Sequence, residues 1–161
     1  LYLTVGSEAI HKQNGVIDKF MGSEIMGLFN TQLNPAQDHA WQAVLAALKI
    51  AGDFLALALT LGEEPIPRFR IGMHTGIATV GNVGSPLRRD FTALGDTVNL
   101  AKRLEEHAAP GQIIISEDCY RACASQLADP DNGLLVIARG SVQVKGRSQA
   151  TAIYEIQRRR A

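Results

Sequence analysis

The segment "GDTVNLAKRLEEH" carries an amide and a guanidinium at helical spacing. Asn99 and Arg103 are four residues apart, so both side chains project from one face if the segment is a helix. An amide donor beside a guanidinium makes an anion clamp for the charge that develops on a phosphate during transfer. A solvated helix face explains the same two residues, and the spacing alone leaves both interpretations open.

Two further cations and one histidine are candidates for binding. Arg70, in "RIG", and Lys145, in "VKG", each lie near a glycine, where the backbone can approach a ligand closely. Together they are suited to a triphosphate, although scattered basic residues also occur on ordinary surfaces. His74, in "GMHTG", is more typical of a structural histidine than of a ligand. The glycines of "GNVGS" lack the lysine of a phosphate-binding loop and indicate a hairpin instead.

The stretch "KFMGSEIMGLF" is typical of a β-hairpin, because two apolar runs flank a short turn that opens on Gly22. Ser23 and Glu24 follow that glycine. A carboxylate beside a tight turn raises the question of a metal site. The turn itself offers a hydroxyl and one carboxylate.

The elements that must position these residues alternate between helix and strand. The first helix ends at Asn14-Gly15, and a long helix covers residues 38 to 61, capped by Asp38 and ended by Gly62. Its predicted apolar stripe consists of Trp41, Val44, Leu48, Ala51, Leu55 and Ala58. A third helix covers residues 96 to 107. The predicted strands are "VIDKFMG", "EIMGLFN", "RFRIGMHTG", "IATVGNVGS", "QIIIS", "LLVIARG", "SVQVKG" and "TAIYEI". This order predicts an α/β sandwich with one sheet.

Length and composition exclude several classes of protein. A chain of 161 residues fits one domain, and 16 basic against 16 acidic residues give no field that attracts nucleic acid or an anionic membrane. Gln42, Lys49 and Asp53 interrupt the longest apolar stretch, which argues against a membrane span. Cys119 and Cys123, four apart in a short helix, indicate reduced thiols. With no signal peptide visible, we expect a cytoplasmic protein without direct membrane contact.

The order of the motifs is more specific than any one of them. "GVIDKFMGSEIMGLF", "RIGMHTG", "GNVGS", "FTALGDTVNLAKRLE", "PGQIIIS" and the final "AIYEI" resemble, in that order, the catalytic domain of class III nucleotide cyclases. The resemblance runs from Leu1 to about Ile156. It implies an α+β fold with a ferredoxin-like βαββαβ core and extra late strands, of which the first strand is missing. Residues 1–161 are therefore expected to be a single cyclase homology domain, truncated at its N-terminus.

This resemblance implies a reaction and its partners. Such domains convert a nucleoside triphosphate into its 3′,5′-cyclic monophosphate and pyrophosphate. The 3′-hydroxyl attacks the α-phosphate between two divalent ions, Mg²⁺ or Mn²⁺. Two domains pair head to tail, as a homodimer or with another cyclase domain, and the active sites lie at their interface.

The nucleotide-binding half of the family pattern is present. By resemblance, Lys19 and Thr92 read the edge of adenine, so the expected substrate is ATP. Asn99 and Arg103 match the residues that position the ribose and stabilise the transition state. Lys145 matches the late-strand lysine on the terminal phosphates, and Arg70 resembles the arginine that helps to hold the triphosphate from the metal-binding half.

The metal-binding half departs from the pattern. The family uses two aspartates, the first on a strand that would precede Leu1 and the second at the hairpin turn, where this chain has Ser23. A hydroxyl is a poor replacement for a carboxylate that bridges two ions. Glu24 is one residue further on, and neighbouring side chains of an extended chain point to opposite faces, so only a distorted turn makes it a substitute.

Two functions follow from this mixture of retained and lost residues. The first is an adenylate cyclase-type domain with a degraded metal site, active on its own or in a mixed dimer. The second is a catalytically inactive, cyclase-like module that binds nucleotide or serves regulatory dimerisation.

Overall fold

The computed structural model describes residues 1–143 and 148–160, and the chain divides into two compact units. The first comprises Leu1–Pro67 and Ile77–Asp96, and the second comprises Arg68–Gly76 and Thr97–Ala161. The prediction of a single domain for residues 1–161 stays a prediction, and each unit is described by itself.

The first unit consists of two helices and two hairpins. Its elements are α1 (Tyr2–Lys12), β1 (Val16–Met21), β2 (Glu24–Leu28), α2 (His39–Leu61), β4 (Thr79–Ser85) and β5 (Arg88–Leu94). Strand β1 pairs with β2, and β4 pairs with β5, both antiparallel. Helix α1 packs against α2, where the rings of Tyr2 and Phe54 have centroids 4.2 Å apart. The hairpin of β4 and β5 shows that the predicted glycine-rich strand has a partner that the sequence analysis did not identify.

Helix α2 has the predicted bounds and the predicted N-cap residue, but Asp38 makes no side-chain cap and one residue of the predicted stripe is exposed. Asp38 precedes it with φ −96° and ψ 34°, outside the extended conformation of most capping residues, and its side chain makes no capping hydrogen bond. Gly62 ends the helix in the left-handed conformation, as predicted. Val44, Leu48 and Ala58 of the predicted stripe are buried, whereas Leu55 is 48% exposed, so the predicted stripe is wrong at Leu55.

The composition of α2 also bears on membranes. By length and composition alone this helix would suffice to cross a bilayer, and 28% of its most apolar stretch is buried. The interrupting charges Lys49 and Asp53 form an ion pair with 2.7 Å between Nζ and Oδ2. The expectation that this segment does not span a membrane stays a prediction.

The second unit contains a four-stranded sheet. Its elements are β3 (Ile71–Met73), most of α3 (Asp96–His107), β6 (Ile113–Ser116), α4 (Glu117–Ala122), α5 (Ala124–Ala128), β7 (Leu134–Val142) and β8 (Thr151–Arg158). The strand order is β3-β6-β8-β7, with β3 parallel to β6 and the other pairs antiparallel. Strand β7 is one strand with a bulge between Ala138 and Ser141, where two strands were predicted.

The core of the second unit lies between α3 and the sheet. Its buried cluster consists of Leu100, Leu104, Ala108, Ile114, Val142 and Ile153. A Cβ on Gly72 would lie 2.2 Å from the backbone nitrogen of Glu105, so this glycine permits close contact between β3 and α3. Burial of one face of α3 leaves the opposite face to solvent.

The prediction of one sheet is wrong for the described strands, which form three. Among the described strands, β1 pairs with β2 alone and β4 pairs with β5 alone. Between β1 and β5 the backbone N–H of Ala93 donates to the carboxylate of Asp18 (3.4 Å) instead of to a strand carbonyl. A side-chain bridge therefore replaces a ladder at that junction.

Candidate active site

The exposed face of α3 carries the predicted anion clamp. Asn99 and Arg103 are both exposed, while Leu100 and Leu104 of the same helix are fully buried. Arg103 has a long contact to Glu106, 3.9 Å between Nη1 and Oε2, with a side chain 57% exposed. Such a contact between exposed groups is weak, so the guanidinium can turn to a ligand at little cost.

Arg70 lies just before β3 and forms an ion pair with Glu105 of α3. The distance between Arg70 Nη2 and Glu105 Oε1 is 3.2 Å, and Lys102 Nζ lies 3.2 Å from the other carboxylate oxygen. Glu105 thus balances two cations, and losing one of them leaves it paired. Lys145, the other predicted triphosphate residue, lies outside the described residues.

The two residues that are predicted to read the base, Lys19 and Thr92, lie on β1 and β5 in the first unit. Lys19 is exposed on β1 and pairs with Met26 of β2 in the strand register. Thr92 is buried on β5, and its hydroxyl donates a hydrogen bond to Asp18 Oδ2 at 2.9 Å. Asp18 directly precedes Lys19, so this bond fixes Thr92 beside the strand that carries the lysine.

Asp18 sits at an irregularity of β1. Ile17 pairs with Gly27 and Lys19 pairs with the next residue, Met26, so Asp18 has no partner in the ladder. This is a β-bulge, which breaks the alternation of side chains and redirects the extra residue. The bulge lets the Asp18 carboxylate reach Thr92 and Ala93 on β5.

The hairpin turn is short and regular. Gly22 has φ +62°, a left-handed conformation that favours glycine, and Met21 pairs with Glu24 across the turn. Ser23 is therefore an exposed turn residue and Glu24 is the first residue of β2. The regular pairing gives no sign of the distortion that would place Glu24 where Ser23 stands.

Comparisons with known proteins place the chain in a family. The profile described as "Adenylate and Guanylate cyclase catalytic domain" matches residues 9–157. The chain belongs to this family. The cyclase fold is also shown by the crystal structure of the adenylyl cyclase CyaB from P. aeruginosa, with a TM-score of 0.84 and 31% identity over 99% of this chain and 80% of that one.

Named cyclases of both kinds are similar to this domain. An adenylate cyclase of Anabaena cylindrica is 34% identical over 96% of the chain, and adenylate cyclase 1 of Rhizobium meliloti is 33% identical over 96%. The human guanylate cyclase soluble subunit beta-2 is 33% identical over 76% of the chain. The chain spans 30%, 23% and 19% of the lengths of these three proteins, respectively. It is a class III nucleotide cyclase domain, and family membership does not decide between ATP and GTP.

The described part of this cyclase domain does not fit a two-metal site by itself. Within it, no group of three or more His, Cys, Asp or Glu side chains is arranged to hold an ion. The turn supplies the Ser23 hydroxyl and the Glu24 carboxylate, while the Asp18 carboxylate is engaged by Thr92. Two bridged divalent ions need several carboxylate oxygens. The ligands for such ions are therefore not provided by these residues alone.

His74 has a structural environment in the cyclase domain, as predicted. Its side chain is 1% exposed, and Nδ1 lies 2.8 Å from Oγ of Ser116. Ser116 is fully buried and caps α4 by accepting from the N–H of Cys119 at 3.2 Å. His74 therefore contacts a buried hydroxyl, that of Ser116, which also caps a helix, and this is a structural role.

Asp18 is the residue of this site that the sequence analysis missed. Strict alternation along β1 places Asp18 and Lys19 on opposite faces, and the bulge that invalidates this assumption leaves no mark in the sequence. The signal that was available is a carboxylate directly beside Lys19, the residue predicted to read the base.

Proposed function

We propose that this chain is an adenylate cyclase-type domain that supplies the nucleotide-binding half of an active site. In this proposal ATP is the substrate, and 3′,5′-cyclic AMP and pyrophosphate are the products. The metal-binding carboxylates come from a second cyclase domain, with which this chain pairs in the cytoplasm. The similarity to adenylate cyclases of Anabaena cylindrica and Rhizobium meliloti supports the choice of ATP.

The single observation that carries the choice of base is the bond between Asp18 and Thr92. It holds the Thr92 hydroxyl beside β1, 2.9 Å from the residue that precedes Lys19. In the proposed site the ammonium of Lys19 donates to a ring nitrogen of adenine and Thr92 accepts from the amino group. Base edges are discriminated strongly by such pairs, because a wrong base leaves buried polar groups without partners.

The exposed face of α3 acts on the reacting phosphate in this proposal. The 3′-hydroxyl of ATP forms a bond to the α-phosphorus as the bond to the bridging oxygen of pyrophosphate breaks. The guanidinium of Arg103 then stabilises the added negative charge, and the amide of Asn99 orients the ribose. Both side chains are exposed, and Arg103 is only weakly paired, as this role requires.

In the same scheme Lys145 binds the terminal phosphates from the nucleotide-binding half, and Arg70 binds a triphosphate from the metal-binding half. Arg70 must exchange its contact with Glu105 for one with phosphate, and a surface ion pair of this kind contributes only about 0–1 kcal/mol. Lys102 stays beside Glu105 during the exchange. The cost of moving Arg70 is therefore small compared with a charge-assisted bond to phosphate.

Exchange of the two base-reading residues tests the substrate. We expect the double variant Lys19→Glu with Thr92→Cys to lose its preference for ATP and bind GTP better, measured as dissociation constants by calorimetry. The matched control is Lys12→Glu, an exposed charge reversal at the end of α1, which should leave the preference unchanged. Tighter binding of GTP than of ATP by the unaltered chain would overturn the assignment.

A second function is favoured by the hairpin turn. Ser23 in place of a carboxylate, and the lack of a metal cluster among the described residues, also fit a module that binds ATP without cyclising it. Such a module would bind nucleotide with the same selectivity but form no cyclic AMP beside any metal-competent partner. Binding and catalysis must therefore be measured separately.

A further inference from the structure

The cluster of Asp18, Thr92 and Ala93 is unusual in its balance of hydrogen-bond donors and acceptors. Asp18 Oδ2 accepts from the Thr92 hydroxyl at 2.9 Å and from the Ala93 N–H at 3.4 Å. Asp18 Oδ1 is buried and has no hydrogen-bond partner among the residues that the structure describes. The cluster therefore contains a buried acceptor, Asp18 Oδ1, for which the described residues supply no donor.

The direction of the bond between Asp18 and Thr92 limits what Thr92 can do for a ligand. A threonine hydroxyl has one proton and two lone pairs, and a carboxylate can only accept. Because the proton is committed to Asp18, the Thr92 oxygen is left as an acceptor. Thr92 is only 6% exposed, so water cannot readily compensate for a mismatched partner there.

We propose that Asp18 is a positioning residue for base selectivity, which holds the single hydroxyl proton of Thr92 and so makes Thr92 a pure acceptor. An acceptor matches the 6-amino group of adenine and opposes the 6-carbonyl of guanine. This inference rests on the proposed function, because it requires a base to be read by Thr92. The bulge at Asp18 is the structural device that brings the carboxylate to the hydroxyl.

A merely structural role for Asp18 predicts something different. The bond to Thr92 joins the two hairpins of the first unit, so its loss would weaken binding of every nucleotide to the same degree. The proposed role instead predicts a change in the ratio between nucleotides that differ at position 6. That ratio is the measurement that separates the two.

The test compares ATP with ITP, whose base carries a carbonyl at position 6. Dissociation constants are measured in EDTA, so that no cyclisation occurs and the readout is binding alone. We expect the unaltered chain to bind ATP at least about 10-fold more tightly than ITP. Asp18→Asn supplies an amide that donates to Thr92 and frees its proton for a carbonyl, so the ratio should fall by about 10-fold.

Control variants show whether a change in the ratio of ATP to ITP binding arises from Asp18 acting through Thr92. Asp53→Asn alters an aspartate on the surface of α2 and should leave the ratio unchanged. Thr92→Val removes the hydroxyl, so the part of the ATP preference that depends on this hydroxyl should be lost. Adding Asp18→Asn to Thr92→Val should then change the ratio no further. That lack of additivity is expected only if Asp18 acts through Thr92.

The outcomes distinguish this inference from the function on which it rests. Equal binding of ATP and ITP by the unaltered chain would overturn both. A preference for ATP that survives in folded Asp18→Asn would overturn the role of Asp18 and leave the proposed function intact. If Asp18→Asn does not fold, as judged by circular dichroism, Asp18→Ser replaces it. If neither folds, an unchanged ratio in Thr92→Val overturns the inference and a reduced ratio supports it.

Discussion

Among single residues, Arg103 on the exposed face of α3 is expected to affect activity but not stability. Replacing Arg103 by alanine should lower cyclic AMP formation by about 100-fold or more in an active pair of domains, because in the proposed function its charge stabilises the transition state. The melting temperature should barely change, since the side chain is 57% exposed and only weakly paired.

The matched control is Arg121→Ala in the same unit. Arg121 is 73% exposed and pairs with Glu117 at 3.2 Å, so it resembles Arg103 in all but its proposed role. Equal loss of activity in both variants would show that the effect is one of general surface charge.

The direction of a side chain could be predicted from the sequence only where the backbone is regular. Asn99 and Arg103 were placed on one exposed face because α3 is an uninterrupted helix with a period that the sequence reveals. Asp18 was missed because a bulge breaks the period of two on which strand arguments depend. Local irregularity of the backbone, and not the type of residue, therefore limited the prediction of side-chain positions.

Two of the exposed glycines in the first unit, Gly22 and Gly52, give a prediction at the scale of elements. Gly22 has φ +62°, so Gly22→Ala should destabilise the hairpin turn by roughly 1 kcal/mol. Gly52 lies in the middle of α2 with open space around it, so Gly52→Ala should stabilise the protein by about 0.5–1 kcal/mol. Urea unfolding midpoints should therefore shift in opposite directions. Shifts of the same sign would contradict the assigned conformations.

Elements with strong periodicity or clear end signals were predicted well. Helices α1 and α3 and strand β6 appear where apolar spacing and terminal glycines placed them, and α2 has the expected bounds. The missed strand β5 consists of "RRDFTAL", whose charged start resembles a polar loop. It becomes a strand because β4 offers a partner along its whole length, a tertiary effect that local sequence does not contain.

The buried thiols give a prediction for the folding of the whole molecule. Burial raises the pKa of Cys119 from 9.0 to about 12, so the folded state keeps the proton where the unfolded chain releases it. The resulting stability is fully present below pH 9 and is lost as the pH rises from 9 towards 12, by at most about 1.4 kcal/mol per pH unit. Urea unfolding between pH 8 and 11 should show a steeper loss in the unaltered protein than in Cys119→Ala. Equal slopes would contradict the assigned shift.

The class of fold was predictable from the order of the motifs, and the arrangement of the sheets was not. The α+β class and the cyclase fold are confirmed by the match to solved cyclases. One sheet was expected, but the two described hairpins of the first unit form separate two-stranded sheets and meet through the side chain of Asp18. Whether a strand pairs with its hairpin partner alone or with a third strand depends on backbone irregularities that one sequence does not reveal.

In the proposed function this chain completes an active site only with a metal-competent partner, and cyclic AMP formation tests this requirement directly. The partner is a cyclase domain that keeps both metal-binding carboxylates and whose own catalytic arginine has been replaced, so that it is inactive alone. With ATP and Mg²⁺, we predict very low activity for this chain alone and at least about 100-fold more for the equimolar mixture. Arg103→Ala in this chain should abolish the gain. Robust cyclic AMP formation by the unmixed chain, or none by the mixture, would contradict the account.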